Sequence, residues 1–353
     1  MKIVIAIDSL KGCLTSVEAG EAAAAGIKSR WPDAEVLCLP VSDGGEGWLE
    51  AFEHVLGDKV EVIKTTVCDP LLRPVQARYL KADNLAVIEV AEACGLHLLK
   101  PEERNPLLAS SRGVGELLSD AIQRGCHQFI IGLGGSAVSD AGRGMVETTP
   151  SLRGRVRGGS YAFTIATDVT NPLYGPEGAA AVFGPQKGAS SEMVTELDKR
   201  ARAFADENAQ RMGFDRSQEA GAGAAGGLGF AFMQFFNAER RSGAELLLEM
   251  LHFDEQIRDA DFIITGEGRA DRQTLMGKLP AVILRHARQA GIPCHLLAGQ
   301  VEDKEALLKA GFASVRSINP PNLPLHEAIR PDMARQNIFH TSKISSWTSP
   351  ARF

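Results

Sequence analysis

Residues 261–268 read DFIITGEG, an apolar run that opens directly into a glycine and acid loop. Such a run, bounded by a turn, is the pattern of a buried strand. The pattern recurs downstream: a helical stretch over about Pro280–Ala290, PCHLLAGQ at 293–300, a short helix over about Lys304–Lys309, and SVRSI at 314–318. The beginning of the chain is built alike. KIVIAI at 2–7 is an apolar run, and Thr15 with Glu18 forms a capping-box signature for a helix from about Ser16 to Arg30, closed by Pro32. A second run, Val36–Val41, leads into SDGGEG at 42–47 and then a helix with Trp48, Ala51, Phe52 and Val55 on one face. Alternating strand and helix favours a parallel sheet. Two strands from the N-terminus and three from the C-terminus therefore predict one open α/β sheet into which the middle of the chain is inserted.

The middle differs in character. VEVIKTTV at 60–67, VQARYL at 75–80 and LAVIEVA at 85–91 are short strands with little room for helices between them, and they predict a meander. A helical stripe at Val114, Leu117, Leu118, Ala121 and Ile122 comes next, then the strands QFIIGLGG at 128–135 and FTIATD at 163–168. The domains are expected at 1–58 plus 258–353 and at 59–257. The last 25 or so residues lack an apolar period and are expected to be loosely held.

Composition excludes several classes. The chain has 353 residues, 44% of them hydrophobic, and a formal net charge of −6 with no basic block, so a nucleic-acid backbone finds nothing to hold. The N-terminal apolar run is too short for a signal peptide, and no window is apolar enough to span a bilayer. Six cysteines lie far apart with no Cys-x-x-Cys pair, which reads as reduced thiols in a cytoplasmic protein.

The 36 glycines bunch into clusters. Four stand after predicted strands: SDGGEG (42–47), GLGGSAVSDAGRG (132–144), TDVTNPLYG (167–175) and TGEGRADRQ (265–273). In open α/β sheets ligands gather at the carboxyl ends of strands, where glycines admit the backbone and N–H groups meet anions. Each cluster also carries carboxylates: Asp43 with Glu46, Asp140, Asp168, and Glu267 with Asp271. Carboxylates beside anion cradles suit a Mg-nucleotide, since the metal takes hard oxygens. Asp43 and Asp140 stand equally well as helix N-caps. Lys11 in DSLKG and Lys187 in FGPQKG are phosphate contacts or solvated loop lysines, and Arg104 in ERNP is a carboxylate clamp or a turn residue. GAGAAG at 221–226 matches the dinucleotide fingerprint in letters, but the polar DRSQEA before it is no strand, so it reads as a close-packed entry to the helix bearing Phe232, Met233, Phe235 and Phe236. No P-loop and no protein-kinase motif is present.

In order, MKIVIAIDSLKGCLTS, LPVSDGGEG, ERNPLLASSRGVGELL, GLGGSAVSDAGRGM, ATDVTNPLYG, FGPQKGA, GAGAAGGLG and TGEGRADRQTLMGK resemble the class I glycerate kinases, from Met1 to about Asn337. The resemblance implies a flavodoxin-like α/β domain with a second, restriction-endonuclease-like α/β domain inserted. It implies ATP-dependent phosphorylation of D-glycerate to 2-phosphoglycerate with Mg²⁺. In that scheme Lys11, Asp168, Glu267 and Asp271 are catalytic, with Asp168 and Glu267 on the metal. Asp43, Gly44, Gly45, Arg104, Gly134, Gly135, Ser136, Asp140 and Lys187 then bind substrate or phosphate. The chain departs from the family at Ile7, Val138, Ser139, Ala141 and Arg272, in a shorter stretch between Met145 and Phe163, and after about Asn337. A non-catalytic glycerate or nucleotide binder, or a kinase producing 3-phosphoglycerate, stays open beside this reading.

Overall fold

The computed structural model describes residues 1–10, 12–149 and 160–343. The chain divides into two units, Met1–Asp43 with Ala244–Phe353, and Gly44–Gly243.

Strands are numbered along the whole chain. The first unit holds β1 (Lys2–Ile7), β2 (Glu35–Cys38), β9 (Phe262–Ala270), β10 (Cys294–Val301) and β11 (Ser314–Ser317). All pair in parallel, in the order β11-β10-β9-β1-β2. Counted within the unit this is 2-1-3-4-5, the flavodoxin order, and its switch point lies between β1 and β9. From Ile3 to Ile7, β1 is buried, as a strand covered on both faces requires. Thr15 caps the helix Ser16–Arg30, accepting from the Glu18 N–H at 3.2 Å while the Glu18 carboxylate accepts from the Thr15 N–H at 2.9 Å.

The end of the chain corrects one expectation. Pro331–Ser342 is a helix that lies on Ser16–Arg30, burying Ala334 and Ile338. Gly26 makes the approach possible, because a Cβ there would collide with the Phe339 carbonyl. The apolar pattern is sparse because small residues, Ala19, Ala23, Gly26 and Ala334, share this contact with Ile27 and Ile338. Residues 344–353 lie outside the described residues.

The second unit holds β3 (Glu61–Cys68), β4 (Pro74–Ala82), β5 (Leu85–Glu89), β6 (Gln128–Gly132), β7 (Ala162–Ala166) and β8 (Glu239–Arg241), arranged in sequence order. β3, β4 and β5 form the expected antiparallel meander, and β5 to β8 pair in parallel. The helix Trp48–Leu56, which its sequence position placed with the first unit, packs on β4 and β5 of the second and buries Trp48 and Phe52 completely. The fingerprint-like GAGAAG enters the helix Ala224–Phe236 through left-handed Ala225, Gly226 and Gly227. At Gly226, with φ of 67°, a Cβ would sit on the Val138 carbonyl, so this glycine run is a packing device.

Candidate active site

A cavity of about 900 Å³ opens in the first unit at the carboxyl end of its sheet. It lies at the switch point, where a doubly wound sheet takes its ligands. Asp8 and Ser9, which come after β1, Asp43, which comes after β2, and Glu267 on β9 line it together with Lys278.

Local bonding fixes these groups. The Asp8 N–H donates to the Gly266 carbonyl at 2.9 Å, so the chain leaving β1 stays beside β9. The Asp8 carboxylate accepts from the Ser9 N–H at 2.8 Å. Ser16 Oγ donates to the Ile7 carbonyl at 2.6 Å and accepts from the Val41 N–H at 2.9 Å, tying the ends of β1 and β2 together. Glu267 is buried. Its Oε1 accepts from Thr274 Oγ1 at 2.6 Å and its Oε2 lies 3.4 Å from Lys278 Nζ. Burial pushes its pKa above the ordinary glutamate value, against the pull of Thr274 and Lys278. Lys278 is also the N-cap of the helix Leu279–Gln289, so a helix N-terminus opens at the cavity. Ser9 is buried, and among the described residues its Oγ has no hydrogen-bond partner. A buried hydroxyl without a partner costs stability and is suited to a ligand oxygen.

Asp271, expected beside Glu267, lies close enough to act on its charge and is also tied into the local turn. Its side chain accepts from the Gln273 N–H at 2.8 Å as the cap of the 3₁₀ turn Arg272–Met276. Lys11 lies outside the described residues.

The remaining expected residues are in the second unit: Gly44 and Gly45 before the helix Trp48–Leu56, Gly134, Gly135, Ser136 and Asp140 after β6, Asp168 after β7, Arg104 between β5 and the helix Arg112–Gln123, and Lys187 in the turn Pro185–Lys187. The Gly134 N–H donates to the Gly44 carbonyl at 2.9 Å, so that donor is already used, and Gly45 packs against Gly134. Ser136 is bridged to Gly95, and the Gly135 carbonyl accepts from the Leu96 N–H at 2.8 Å. Lys187 is no solvated lysine. It is buried, its Nζ donating to Ser136 Oγ at 3.1 Å and to the Val138 carbonyl at 2.7 Å. Desolvation lowers its pKa to about 8, against the opposing pull of Cys94 and Asp140. Asp140 accepts from the Ser111 N–H and hydroxyl, both at 2.8 Å, and from the N–H groups of Gly142 and Gly144, both at 3.1 Å. One carboxylate thus fastens the starts of two helices, Arg112–Gln123 and Arg143–Thr148. Arg104 packs its backbone against Gly188, and among the described residues its buried Nε has no hydrogen-bond partner. Asp168 is half-buried just after β7.

The cavity therefore gathers Asp43 and Glu267 from the expected set and adds Asp8, Ser9 and Lys278, which sequence reasoning missed. Asp8 stands directly after an apolar strand, the same signal that singled out Asp168. Lys278 closes the quoted motif TGEGRADRQTLMGK. Among the described residues no group of three or more His, Cys, Asp and Glu side chains is placed to hold a metal ion, and none of the helices is long and apolar enough to cross a membrane.

Fold and site together define an α/β protein with a carboxylate-bearing cavity at the switch point of a flavodoxin-order sheet. The glycerate kinase family profile matches residues 3–150 and 151–345. The chain belongs to the glycerate kinase family. It is 38% identical over 359 residues to a glycerate kinase of Bacillus subtilis (strain 168), covering 93% of both chains. It is 37% identical over 358 residues to a glycerate 2-kinase of Escherichia coli (strain K12), covering 94% of this chain and 93% of that one. A solved structure from Salmonella typhimurium LT2, assigned as glycerate kinase 2, superposes with a TM-score of 0.79 at 36% identity, covering 97% of this chain and 96% of the other.

Proposed function

We propose that this chain transfers the γ-phosphoryl group of ATP to the 2-hydroxyl of D-glycerate, giving 2-phosphoglycerate and ADP, in the reducing cytoplasm. The observation that carries the reading is the cavity at the β1/β9 switch point, with Asp8, Asp43, Glu267 and Lys278 on its lining. The six cysteines are free thiols, which agrees with that compartment.

The hydroxyl oxygen forms a bond to the γ-phosphorus as the bond from that phosphorus to the β,γ-bridging oxygen breaks, and ADP leaves with the electron pair. The hydroxyl proton passes to a carboxylate. Glu267 is suited to this because burial raises its affinity for a proton, while Thr274 and Lys278 hold the charged form in place. Lys278 and the helix N-terminus behind it offset phosphate charge. Asp8, Asp43 and Glu267 line the cavity without converging on one point, so a Mg²⁺ arriving with the nucleotide phosphates would be held by one or two of these carboxylates rather than by a protein cage. When bound, Mg²⁺ supplies charge neutralisation at the phosphate oxygens. Asp168 and Lys11 keep their proposed parts as a second carboxylate and a phosphate contact. Gly44, Gly45, Gly134, Gly135, Ser136, Asp140, Lys187 and Arg104, all in the second unit, keep their proposed parts in binding substrate or phosphate, several of them by holding backbone in place.

Turnover of Glu267→Gln and Asp43→Ala measured beside their melting temperatures tests the assignment. Each should lose on the order of a hundredfold or more in kcat while staying folded. Unimpaired turnover in either removes that residue from the chemistry.

A further inference from the structure

The cavity has a second wall that the carboxylate chemistry does not use. After β11 the chain runs through Ile318, Asn319, Pro320 and Pro321 to Leu325 and Ile329, all lining the same cavity. Leu325 is 72% and Ile329 47% exposed, and Pro320 and Pro321 are exposed beside them. The wall is held at its root. Asn319 donates through Nδ2 to the Gly299 carbonyl at 2.8 Å and accepts through Oδ1 from Asn337 Nδ2 at 3.0 Å. Ser317 Oγ donates to the same Gly299 carbonyl at 3.3 Å. An anchored strip of exposed apolar side chains facing a cavity is the form of a preformed ligand wall.

We infer that this strip, residues 318–329, seats the nucleoside of ATP, leaving the phosphates to the end of the cavity lined by Asp8, Asp43, Glu267 and Lys278. The inference rests on the phosphoryl-transfer reading above. Of the two substrates in that reaction, D-glycerate is a three-carbon acid with polar groups on every carbon, and it offers nothing to an apolar wall. Only the nucleotide has a flat, weakly polar face at one end and charge at the other. A cavity of about 900 Å³ also far exceeds what a three-carbon acid fills, and it lies in the range of larger cofactor and nucleotide sites. The opposite end matches the other half of the molecule. Its acidic groups repel bare phosphates and so select the metal-bound nucleotide, and the cations on its lining are Lys278, 3.4 Å from Glu267, and Arg269, 2.8 Å from Glu302.

The test uses the full chain. Leu325→Asp and Ile329→Asp place charge on an exposed wall, where folding is little affected, and Leu325→Met serves as the conservative control. ADP binding is followed by calorimetry in the presence of Mg²⁺, and KM for ATP and for D-glycerate is measured by ADP release. The expected result is a weakening of ADP binding and a rise in the ATP KM of about tenfold in each Asp variant. The D-glycerate KM holds, and Leu325→Met restores both values. A raised D-glycerate KM with ATP unaffected assigns the cavity to the acceptor and overturns the inference. Unchanged values for both substrates overturn it as well, as does a wild-type chain that does not bind ADP. Because ADP binding is read without turnover, a chain that binds ADP at this wall but phosphorylates nothing separates failure of the kinase reading from failure of this one.

Discussion

Glu267 and Asp140 show how alike two carboxylates look in sequence and how differently they are used. Both follow glycines that come after an apolar run, Glu267 within β9 and Asp140 in the loop after β6. Glu267 has two side-chain partners and a cavity in front of it, whereas Asp140 spends its oxygens on four donors from two helix starts. The two residues should therefore respond to substitution in opposite ways. A carboxylate accepts a proton only when ionised, and burial raises the Glu267 pKa. Activity should rise with pH along an acid limb of kcat/KM lying above the ordinary glutamate range, and that limb should vanish in the residual activity of Glu267→Gln. Asp140→Asn, in contrast, should lose about 1–3 kcal/mol of stability by chemical denaturation, because an amide cannot serve all four donors. A stable, inactive Asp140→Asn would instead place that residue in the chemistry. The cap contacts of Asp140 to Gly142 and Gly144 are local and legible as an N-cap, whereas Ser111 reaches it from 29 residues earlier in the chain, which no local pattern announces.

At the scale of elements, the strands were legible, because apolar runs ending in turn residues leave a local signal, but the loop expected from Thr265 is strand as far as Ala270, where pairing to β10 carries β9 through its glycines. The meander of β3, β4 and β5 and the capping box at Thr15 are read directly from spacing. The helix Pro331–Ser342 was not, since its partner is a glycine-bearing face more than 300 residues earlier in the chain. That contact is testable. Gly26→Val should cost roughly 1–3 kcal/mol through the clash with the Phe339 carbonyl, and Ile338→Ala about 2–4 kcal/mol through the cavity it leaves. Wild-type stability in both would mean the two helices do not pack. The same blindness explains Lys187, whose exposure cannot be judged from FGPQKG alone. Its burial comes from the loop Gly134–Val138 folding over its ammonium.

For the whole molecule, the sequence order of strands decides where the chemistry can be. Two N-terminal and three C-terminal strands close into one sheet, and the crossing from β1 to β9 leaves the switch point open for a ligand. Only the assembled sheet brings Asp8, Asp43, Glu267 and Lys278, from segments more than 200 residues apart, to one cavity. Residues 150–159, part of the stretch between Met145 and Phe163 expected to be short for the family, lie outside the described residues. The most direct experiment is ADP release from ATP and Mg²⁺ by the purified full chain, with D-glycerate and L-glycerate compared and the product identified by NMR. The account predicts turnover selective for D-glycerate with phosphate on the 2-position. Folded protein that releases no ADP with D-glycerate, or that phosphorylates the 3-position, would contradict it.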